Sequence, residues 1–197
     1  IWADHDGNET MRFVEHHLDE LSEDYSVEEI ELVLATHIHD DHTCGIPYLQ
    51  RHHGTRCWAL EEVAQILENP AAWASTPCVF PKPIRIDRRL TDGERFQWQE
   101  YELEIFFAPG QTEFHSVVSV MVDGKKVAFT GDNYFVEEIL EAGSVKLRPF
   151  QTTVLRNSFQ LHMHRRCAEV MRGIRPELIC PGHGDVLACT KDDLDRY

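Results

Sequence analysis

The sequence predicts an α+β fold in which two packed β-sheets are faced with helices. The prediction rests on the mixture of helical and strand-like segments in the first half of the chain, and on the run of strand-like segments in its middle. The chain has 197 residues, of which 42% are hydrophobic and 27% charged. This length and composition allow one continuous core, so we expect a single domain over residues 1–197.

The first half alternates between helical and strand patterns. Apolar residues recur at helical spacing over residues 9–23, which predicts an amphipathic helix. The apolar run at 32–35 is too short for a helix and predicts a buried strand. The segments predicted after it are a helix at 45–53 stopped by Gly54, a strand at 57–60, a helix at 61–68 and a loop from Pro70 to Pro83.

The second half begins as a series of strands. Strand patterns occur at 84–86, 95–98, 102–107, 117–122 and 126–130, with Asp92-Gly93 and Asp123-Gly124 as hairpin turn signals. After an irregular stretch, the apolar positions Leu155, Phe159, Met163 and Val170 predict a helix that Gly173 ends. A strand at 178–180 follows, and Thr190 begins a helix close to the end of the chain.

The overall charge restricts the classes of partner. The formal net charge is −15, which disfavours nucleic acid and anionic membranes, and no apolar run is long enough to cross a bilayer. The six cysteines form no Cys-x-x-Cys pair, and the first residues lack the features of a signal peptide. We therefore expect a cytoplasmic protein with reduced thiols that acts on a small molecule.

Metal-binding residues concentrate directly after the strand at 32–35. His37 and His39 are two positions apart, so an extended segment places both imidazoles on one face, where they can bind one cation. Asp41 and His42 follow and can turn toward a second ion. Imidazole combined with carboxylate suits zinc, iron or manganese. The segment therefore predicts a metal site at the carboxyl end of a strand, where open α/β sheets commonly bind ligands.

The segment His37-Ile38-His39-Asp40-Asp41-His42 resembles the His-x-His-x-Asp-His signature of the metallo-β-lactamase superfamily. Three later segments are similar to that family's motifs and occur in the same order: Pro109-Gly110-Gln111-Thr112, Phe129-Thr130-Gly131-Asp132 and Pro181-Gly182-His183-Gly184. The resemblance covers nearly the whole chain. It implies the four-layer αββα metallo-β-lactamase sandwich.

The resemblance also implies a ligand set for two divalent metal ions, with zinc favoured and iron or manganese as alternatives. His37 and His39 would bind the first ion, Asp41, His42 and His183 the second, and Asp132 would bridge them. The family usually has histidine where this chain has Gln111. We expect His115, four positions further on, to supply the missing imidazole, because a glutamine carbonyl is the weaker ligand.

A ligand set of this kind implies hydrolysis. The resemblance predicts that a metal-bound hydroxide attacks an ester, thioester or lactone-type substrate, and that Asp41 orients the water and accepts its proton. Two alternatives remain open: an iron-dependent thiol dioxygenase of the same fold, and a metal-bound binding module without catalytic activity.

The ends of the chain lead to a further expectation. The family normally opens with a pair of strands, of which only Ile1-Trp2-Ala3 could remain here, and the helix begun at Thr190 is cut short. We expect truncation at the N-terminus and at the C-terminus. A sheet edge left unpaired by such a truncation would favour a homodimer.

Overall fold

The computed structural model describes residues 29–73, 78–152 and 160–195. The helix predicted over 9–23 lies outside the described residues. The chain forms two compact units, Ile1–Arg89 and Leu90–Tyr197. No helix in the described ranges is long and apolar enough to span a bilayer.

The first unit is built on a three-stranded sheet in the order β1-β2-β3, whose strands are β1 (Leu32–Ala35), β2 (Arg56–Leu60) and β3 (Arg88–Leu90). Strands β1 and β2 are parallel, with Val33 paired to Cys57. Within residues 29–73, the helices are α1 (Asp40–Thr43), α2 (Ile46–His53), α3 (Glu61–Glu68) and a 3₁₀ helix (Pro70–Trp73). Gly54 ends α2 in the left-handed region at φ 72°, as predicted.

The core of this unit explains why one predicted strand is absent. One face of α3 is fully buried, and the amide of Ile84 donates to Leu67 O at the end of that helix (2.8 Å). Ile84 itself is 1% exposed. The strand predicted at 84–86 is therefore wrong: this segment is held by single hydrogen bonds, and β3 begins only at Arg88.

The described residues of the second unit form eight strands: β4 (Glu94–Trp98), β5 (Tyr101–Phe107), β6 (Ser116–Val122), β7 (Lys125–Gly131), β8 (Tyr134–Glu141), β9 (Ser144–Gln151), β10 (Leu178–Pro181) and β11 (Leu187–Ala188). Six of them form one sheet in the order β11-β10-β7-β6-β5-β4. Strand β10 runs parallel to β7, whereas the other neighbours are antiparallel. The strands predicted at 95–98, 102–107, 117–122, 126–130 and 178–180 are confirmed.

The hairpin of β8 and β9 was not predicted. These strands pair over their whole length and turn at Ala142 and Gly143, which have φ of 50° and 80°. Their sequence gives no clear alternation, because Leu140 and Val145 are 78% and 62% exposed beside charged neighbours. A period-two pattern is visible only where one face of a strand is buried.

The two hairpin turn signals have different outcomes. Asp123-Gly124 joins β6 to β7 with both residues at positive φ, as predicted for a two-residue turn. Asp92-Gly93 lies between β3 and β4, which belong to different sheets, so it is not a hairpin turn. The β4–β5 hairpin instead turns at Gln99, with φ of 50°.

The helices of the second unit are α4 (Leu161–Ile174) and α5 (Lys191–Leu194). Cys167, Val170 and Met171 of α4 pack in a buried cluster with residues of the sheet. Gly173 lies inside the last turn of α4, which ends one residue later with Arg175 in the left-handed region. The predicted stop at Gly173 is thus wrong by one residue. The predicted positions Leu155 and Phe159 lie outside the described residues.

Thiol reactivity provides a test of this packing. All six cysteines lie in the described residues, and none forms a disulfide there. Burial raises the pKa of Cys57 to about 12, with a smaller contribution from the Asp87 carboxylate, and burial raises the pKa of Cys167 to about 12. Because the thiolate is the reactive form, both thiols stay protonated and inert at pH 8. We expect the exposed Cys78 to react with a maleimide in the folded protein, and Cys57 and Cys167 only after denaturation.

Peptide mapping of the labelled cysteines measures this difference. Rapid labelling of Cys57 or Cys167 without denaturant would contradict the packing of either unit.

Candidate metal site

The histidine motif lies just past the carboxyl end of β1. His39 has an extended backbone (φ −69°, ψ 145°) and forms a bridge with Val79, and α1 begins at Asp40. The amide of Asp40 donates to Cys78 O (2.8 Å), and the Thr43 hydroxyl donates to His39 O (2.8 Å). These two hydrogen bonds fix the point at which the extended chain ends and α1 begins. The motif therefore presents its side chains from an extended segment and from the first helical turn after it.

Three imidazoles of the motif lie together. The ring centroid of His37 is 4.9 Å from that of His39 and 4.3 Å from that of His42. His37 is fully buried, and its Nδ1 lies 3.0 Å from the hydroxyl of Thr36. This contact leaves Nε2 as the nitrogen that could bind a metal, because the second nitrogen of a metal-bound histidine usually contacts a protein group that orients the ring. Sequence reasoning did not identify Thr36 in this role.

Asp41 stands at the exposed edge of the same cluster. Its Oδ2 lies 3.4 Å from Nε2 of His42, and its side chain is 53% exposed compared with 17% for His42. A carboxylate in this position is reached by solvent and still contacts a candidate ligand. It can therefore accept or deliver a proton, as expected for the catalytic role predicted from the motif.

In the second unit, Asp132 follows directly after β7 and is 4% exposed. Its Oδ1 lies 3.6 Å from Nε2 of His183. The parallel pairing of β7 and β10 explains this proximity, since Gly131 pairs with Pro181 and the amide of Gly182 donates to Gly131 O (2.8 Å). The two motifs therefore meet at one sheet edge, as expected for the ends of neighbouring parallel strands.

Gln111 also lies against Asp132. Its side chain is 5% exposed, and its Nε2 is 3.4 Å from Oδ2 of Asp132. The residue that replaces the expected histidine thus contacts the carboxylate proposed to bridge the metals. Its amide group is close enough to orient that carboxylate by a hydrogen bond.

His115 lies beneath this group and is fully buried. Its Nδ1 is 2.9 Å from Ser116 O, which can only accept a hydrogen bond, so we assign the ring proton to Nδ1. Its Nε2 then accepts from the backbone amide of Asp132 (3.2 Å). To bind a metal, His115 would have to give up one of these contacts. The geometry therefore favours a supporting role, and the predicted role of His115 as a ligand stays a prediction.

Asn133 is a residue of this site that sequence reasoning missed. Its Oδ1 accepts from the amide of Gln111 (2.9 Å), and its Nδ2 donates to Ala108 O (2.7 Å). It therefore ties the loop that carries Gln111 to the turn that carries Asp132. The sequence offered one signal, a polar residue directly after Asp132, and that signal is too weak to specify these bonds.

Gly110 permits the close approach of these two segments. A Cβ atom at Gly110 would lie 2.6 Å from Oδ1 of Asn133 and 3.5 Å from Cβ of Cys167. Because both ends of the Asn133 amide are hydrogen bonded, the side chain cannot move aside cheaply. We expect Gly110→Ala to lower the free energy of unfolding by about 2 kcal/mol in urea denaturation, the usual cost of forcing extra volume into a packed interior.

Gly173→Ala provides the matched control for this substitution. Gly173 lies in α4, and apart from the backbone of its own helix no atom lies within 4 Å of its added Cβ, so alanine should raise stability by about 0.5–1 kcal/mol. Equal effects of the two substitutions would refute the packing described around Gly110.

The donor set of each unit suits a divalent transition metal. The first unit offers three clustered imidazoles and an adjacent carboxylate, and the second offers a buried carboxylate beside an imidazole. Nitrogen and oxygen donors of these kinds are taken by zinc, iron and manganese. The residues present therefore fit the metals that the sequence motif implies.

Comparison with known proteins agrees with this chemistry. The family described as the metallo-beta-lactamase superfamily matches residues 7–183. The chain is 30% identical to "Glyoxylase B2" of Dictyostelium discoideum over 113 residues, covering 56% of this chain and 38% of that protein. It is 31% identical to "Hydroxyacylglutathione hydrolase GloC" of Haemophilus influenzae over 119 residues, covering 55% of this chain and 54% of that protein. The chain thus spans about half or less of the length of these relatives.

Solved structures are similar over most of the chain. BJP-1, a subclass B3 metallo-beta-lactamase of Bradyrhizobium japonicum, has a TM-score of 0.64 at 19% identity, covering 88% of this chain and 63% of its own. A beta-lactamase from Chitinophaga pinensis has a TM-score of 0.65 at 15% identity, covering 86% of this chain and 62% of its own. At these identities the likeness shows the fold alone, and it confirms the fold class predicted from the sequence.

Proposed function

The chain belongs to the metallo-beta-lactamase superfamily, and from that membership and its donor groups we propose that it is a metal-dependent hydrolase acting on an ester, thioester or lactone. The observation that carries the proposal is the packing of three imidazoles from one short motif, with ring centroids 4.3 Å and 4.9 Å from that of His37. A cluster of this kind, next to a solvent-accessible carboxylate, is the arrangement that metal-assisted hydrolysis requires.

The ligand assignment is part of the proposal. The family's motif order assigns His37 and His39 to one ion, His42, Asp41 and His183 to another, and Asp132 to both. We propose two ions, with zinc as the preferred metal because imidazole and carboxylate donors suit it. When bound, such ions lower the pKa of a water molecule and polarise the bond to be cleaved.

The protein side chains have separate tasks in this scheme. Asp41 is exposed, so it can take the proton of the attacking water and return it to the leaving group. Asp132 is buried and contributes negative charge. Its orientation is supported by the amide of Gln111 on one side and by the backbone bond to His115 on the other. Asn133 holds the backbone of Gln111 in place by accepting a hydrogen bond from its amide.

Among the substrate classes, we favour a thioester. Three relatives carry the name hydroxyacylglutathione hydrolase, from Haemophilus influenzae, Aeromonas hydrophila and Aeromonas salmonicida, and that name describes a thioester of glutathione. Their activity belongs to proteins longer than this chain. The preference for a thioester is therefore tested by comparing its hydrolysis with that of other substrate classes.

The experiment measures metal content together with turnover. Elemental analysis of the purified chain should give two equivalents of metal, and S-lactoylglutathione should be hydrolysed faster than a simple lactone or a phosphodiester. His42→Ala should lose metal and turnover together, whereas His52→Ala, on the exposed side of α2, should keep both.

Three results would overturn parts of this proposal. One equivalent of iron with oxygen consumption would indicate a thiol dioxygenase. Bound metal without turnover of any class would indicate a binding module. Absence of metal from the purified and metal-supplemented protein would end the proposal altogether.

A further inference from the structure

Phe135, at the base of the β8–β9 hairpin, contacts the proposed metal ligand His183, and the scheme above gives it no task. The two ring centroids lie 5.9 Å apart with their planes at 84°, which is an edge-to-face arrangement. Aromatic rings attract one another in this geometry, because the positive edge of one ring meets the negative face of the other. The same imidazole approaches the buried carboxylate of Asp132, with 3.6 Å between Nε2 and Oδ1. Phe135 is therefore a direct neighbour of the candidate metal site.

The loop that carries His183 passes close to the same part of β8. A Cβ atom built on Gly184 would lie 3.6 Å from Cγ2 of Val136, which is an ordinary van der Waals distance. On the other side of the histidine, the amide of Gly182 donates to Gly131 O at the end of β7 (2.8 Å). The backbone is thus positioned both before and after His183, and Phe135 contacts the ring itself.

The base of the hairpin is anchored and can serve as a fixed support. Phe135 pairs across the two strands with Phe150, and their rings lie 6.2 Å apart at 87°. The preceding residue, Tyr134, is 1% exposed and belongs to the buried cluster that α4 forms with the sheet. On the other strand, the side-chain amide of Gln151 donates to His164 O of α4 (2.8 Å). Both strands are therefore fixed to the core at the level of Phe135.

His183 has more need of a support than Asp132 has. The side chain of His183 is 54% exposed, whereas that of Asp132 is 6% exposed. A half-exposed side chain samples several rotamers, and binding a metal restricts it to one at a cost in free energy. A neighbouring ring that already favours one orientation lowers this cost, provided that the neighbour is itself locked by packing. Phe135 meets this condition because of its contact with Phe150.

We propose that Phe135 is a positioning residue that holds the imidazole of His183 in the orientation required for metal binding. The inference deepens the proposed function and rests on it, because His183 is a ligand only within that function. An aliphatic side chain of similar size would fill the space of Phe135 without the edge-to-face contact. Position 135 therefore requires a ring, and an apolar side chain alone does not suffice.

The first test needs no metal. The ring current of Phe135 should displace the NMR signals of the His183 ring protons from those of an exposed histidine, in the metal-free whole chain at fixed pH. The missing signals in His183→Gln identify them. Phe135→Leu should return them to the exposed values, and Phe135→Tyr should keep them displaced. Undisplaced signals in the unsubstituted chain, or signals that Phe135→Leu leaves unchanged, would overturn the inference.

The second test measures zinc affinity by competition with a chromophoric chelator. Phe135→Leu should weaken the binding of one zinc ion by about two- to tenfold, the affinity ratio that corresponds to one edge-to-face pair. Phe135→Tyr should bind zinc as tightly as the unsubstituted protein, because it keeps the ring. Unchanged affinity in Phe135→Leu, or equal losses in both variants, would contradict the requirement for a ring.

Phe106→Leu is the matched control. Phe106 is a partly buried phenylalanine of β5 in the same unit, and it packs against the core cluster of the sheet and α4. Its substitution should lower the free energy of unfolding while the His183 signals and the zinc affinity stay unchanged. An equal loss of zinc affinity in Phe106→Leu would attribute the effect to stability alone and would overturn the inference.

The two tests separate this inference from the proposed function. Zinc binding and His183 signals that depend on the ring at position 135, without hydrolysis of any substrate, would support the positioning role and refute the hydrolase. Hydrolysis with His183 signals and zinc affinity independent of Phe135 would support the hydrolase and refute the positioning role. Absence of zinc binding would refute both.

Discussion

Asp132→Asn is expected to reduce kcat/KM for the thioester by about a thousandfold and to lower the metal content from two equivalents to one or fewer. Asparagine keeps the shape of the buried side chain but removes the negative charge that we propose bridges two cations. Loss of a charged group that acts directly at the reacting centre costs about 10²–10³ in kcat, and loss of a bound ion adds to it. Elemental analysis and initial-rate measurements on the same preparation test both parts.

Asp123→Asn controls for the same change elsewhere. Asp123 is exposed in the β6–β7 hairpin turn at φ 50°, a conformation that asparagine adopts readily. Metal content and activity should therefore be unchanged. An Asp132→Asn protein that keeps two equivalents and activity within a factor of about three would rule out Asp132 as a bridging ligand.

The sequence predicted those elements that bury one face in a regular pattern. Strand β1, helix α3 and five strands of the six-stranded sheet have apolar residues at the spacing their structure requires, and their bounds differ little from those predicted, whereas the two-residue strand β11 was not predicted. The β8–β9 hairpin escaped prediction because apolar residues such as Leu140 are exposed on it. An alternation of apolar and polar residues arises when one face of a strand is buried, so a strand without a buried face gives no such pattern.

The candidate site was predicted to a similar extent. Its proposed ligands form compact motifs whose chemistry is visible in the sequence, as with His37, His42 and Asp132. Their supports are not, because the bond from Asn133 Oδ1 to the amide of Gln111 joins positions 22 residues apart. Nor does sequence spacing reveal that both nitrogens of His115 are engaged by protein atoms. Such roles depend on which residues come into contact in the folded chain, and a single sequence does not show contacts between distant positions.

Gln111→His is expected to tighten the binding of one metal ion by at least about tenfold. Gln111 lies 3.4 Å from the carboxylate of Asp132, so an imidazole at this position would stand beside a proposed ligand. Histidine is the better donor for zinc, whereas the amide oxygen is a weak one. Competition with a chromophoric chelator measures the two dissociation constants separately in the variant and in the unsubstituted protein.

The reciprocal variant, His115→Gln, distinguishes the two possible roles of His115. If His115 supports the Asp132 turn, its loss lowers the free energy of unfolding of the metal-free protein, because it removes an acceptor from the buried amide of Asp132. If His115 is instead the ligand, His115→Gln removes one equivalent of metal at unchanged metal-free stability, and Gln111→His gives no gain. The stability of the metal-free protein therefore decides between the two roles of His115, because only the supporting role contributes before any metal binds.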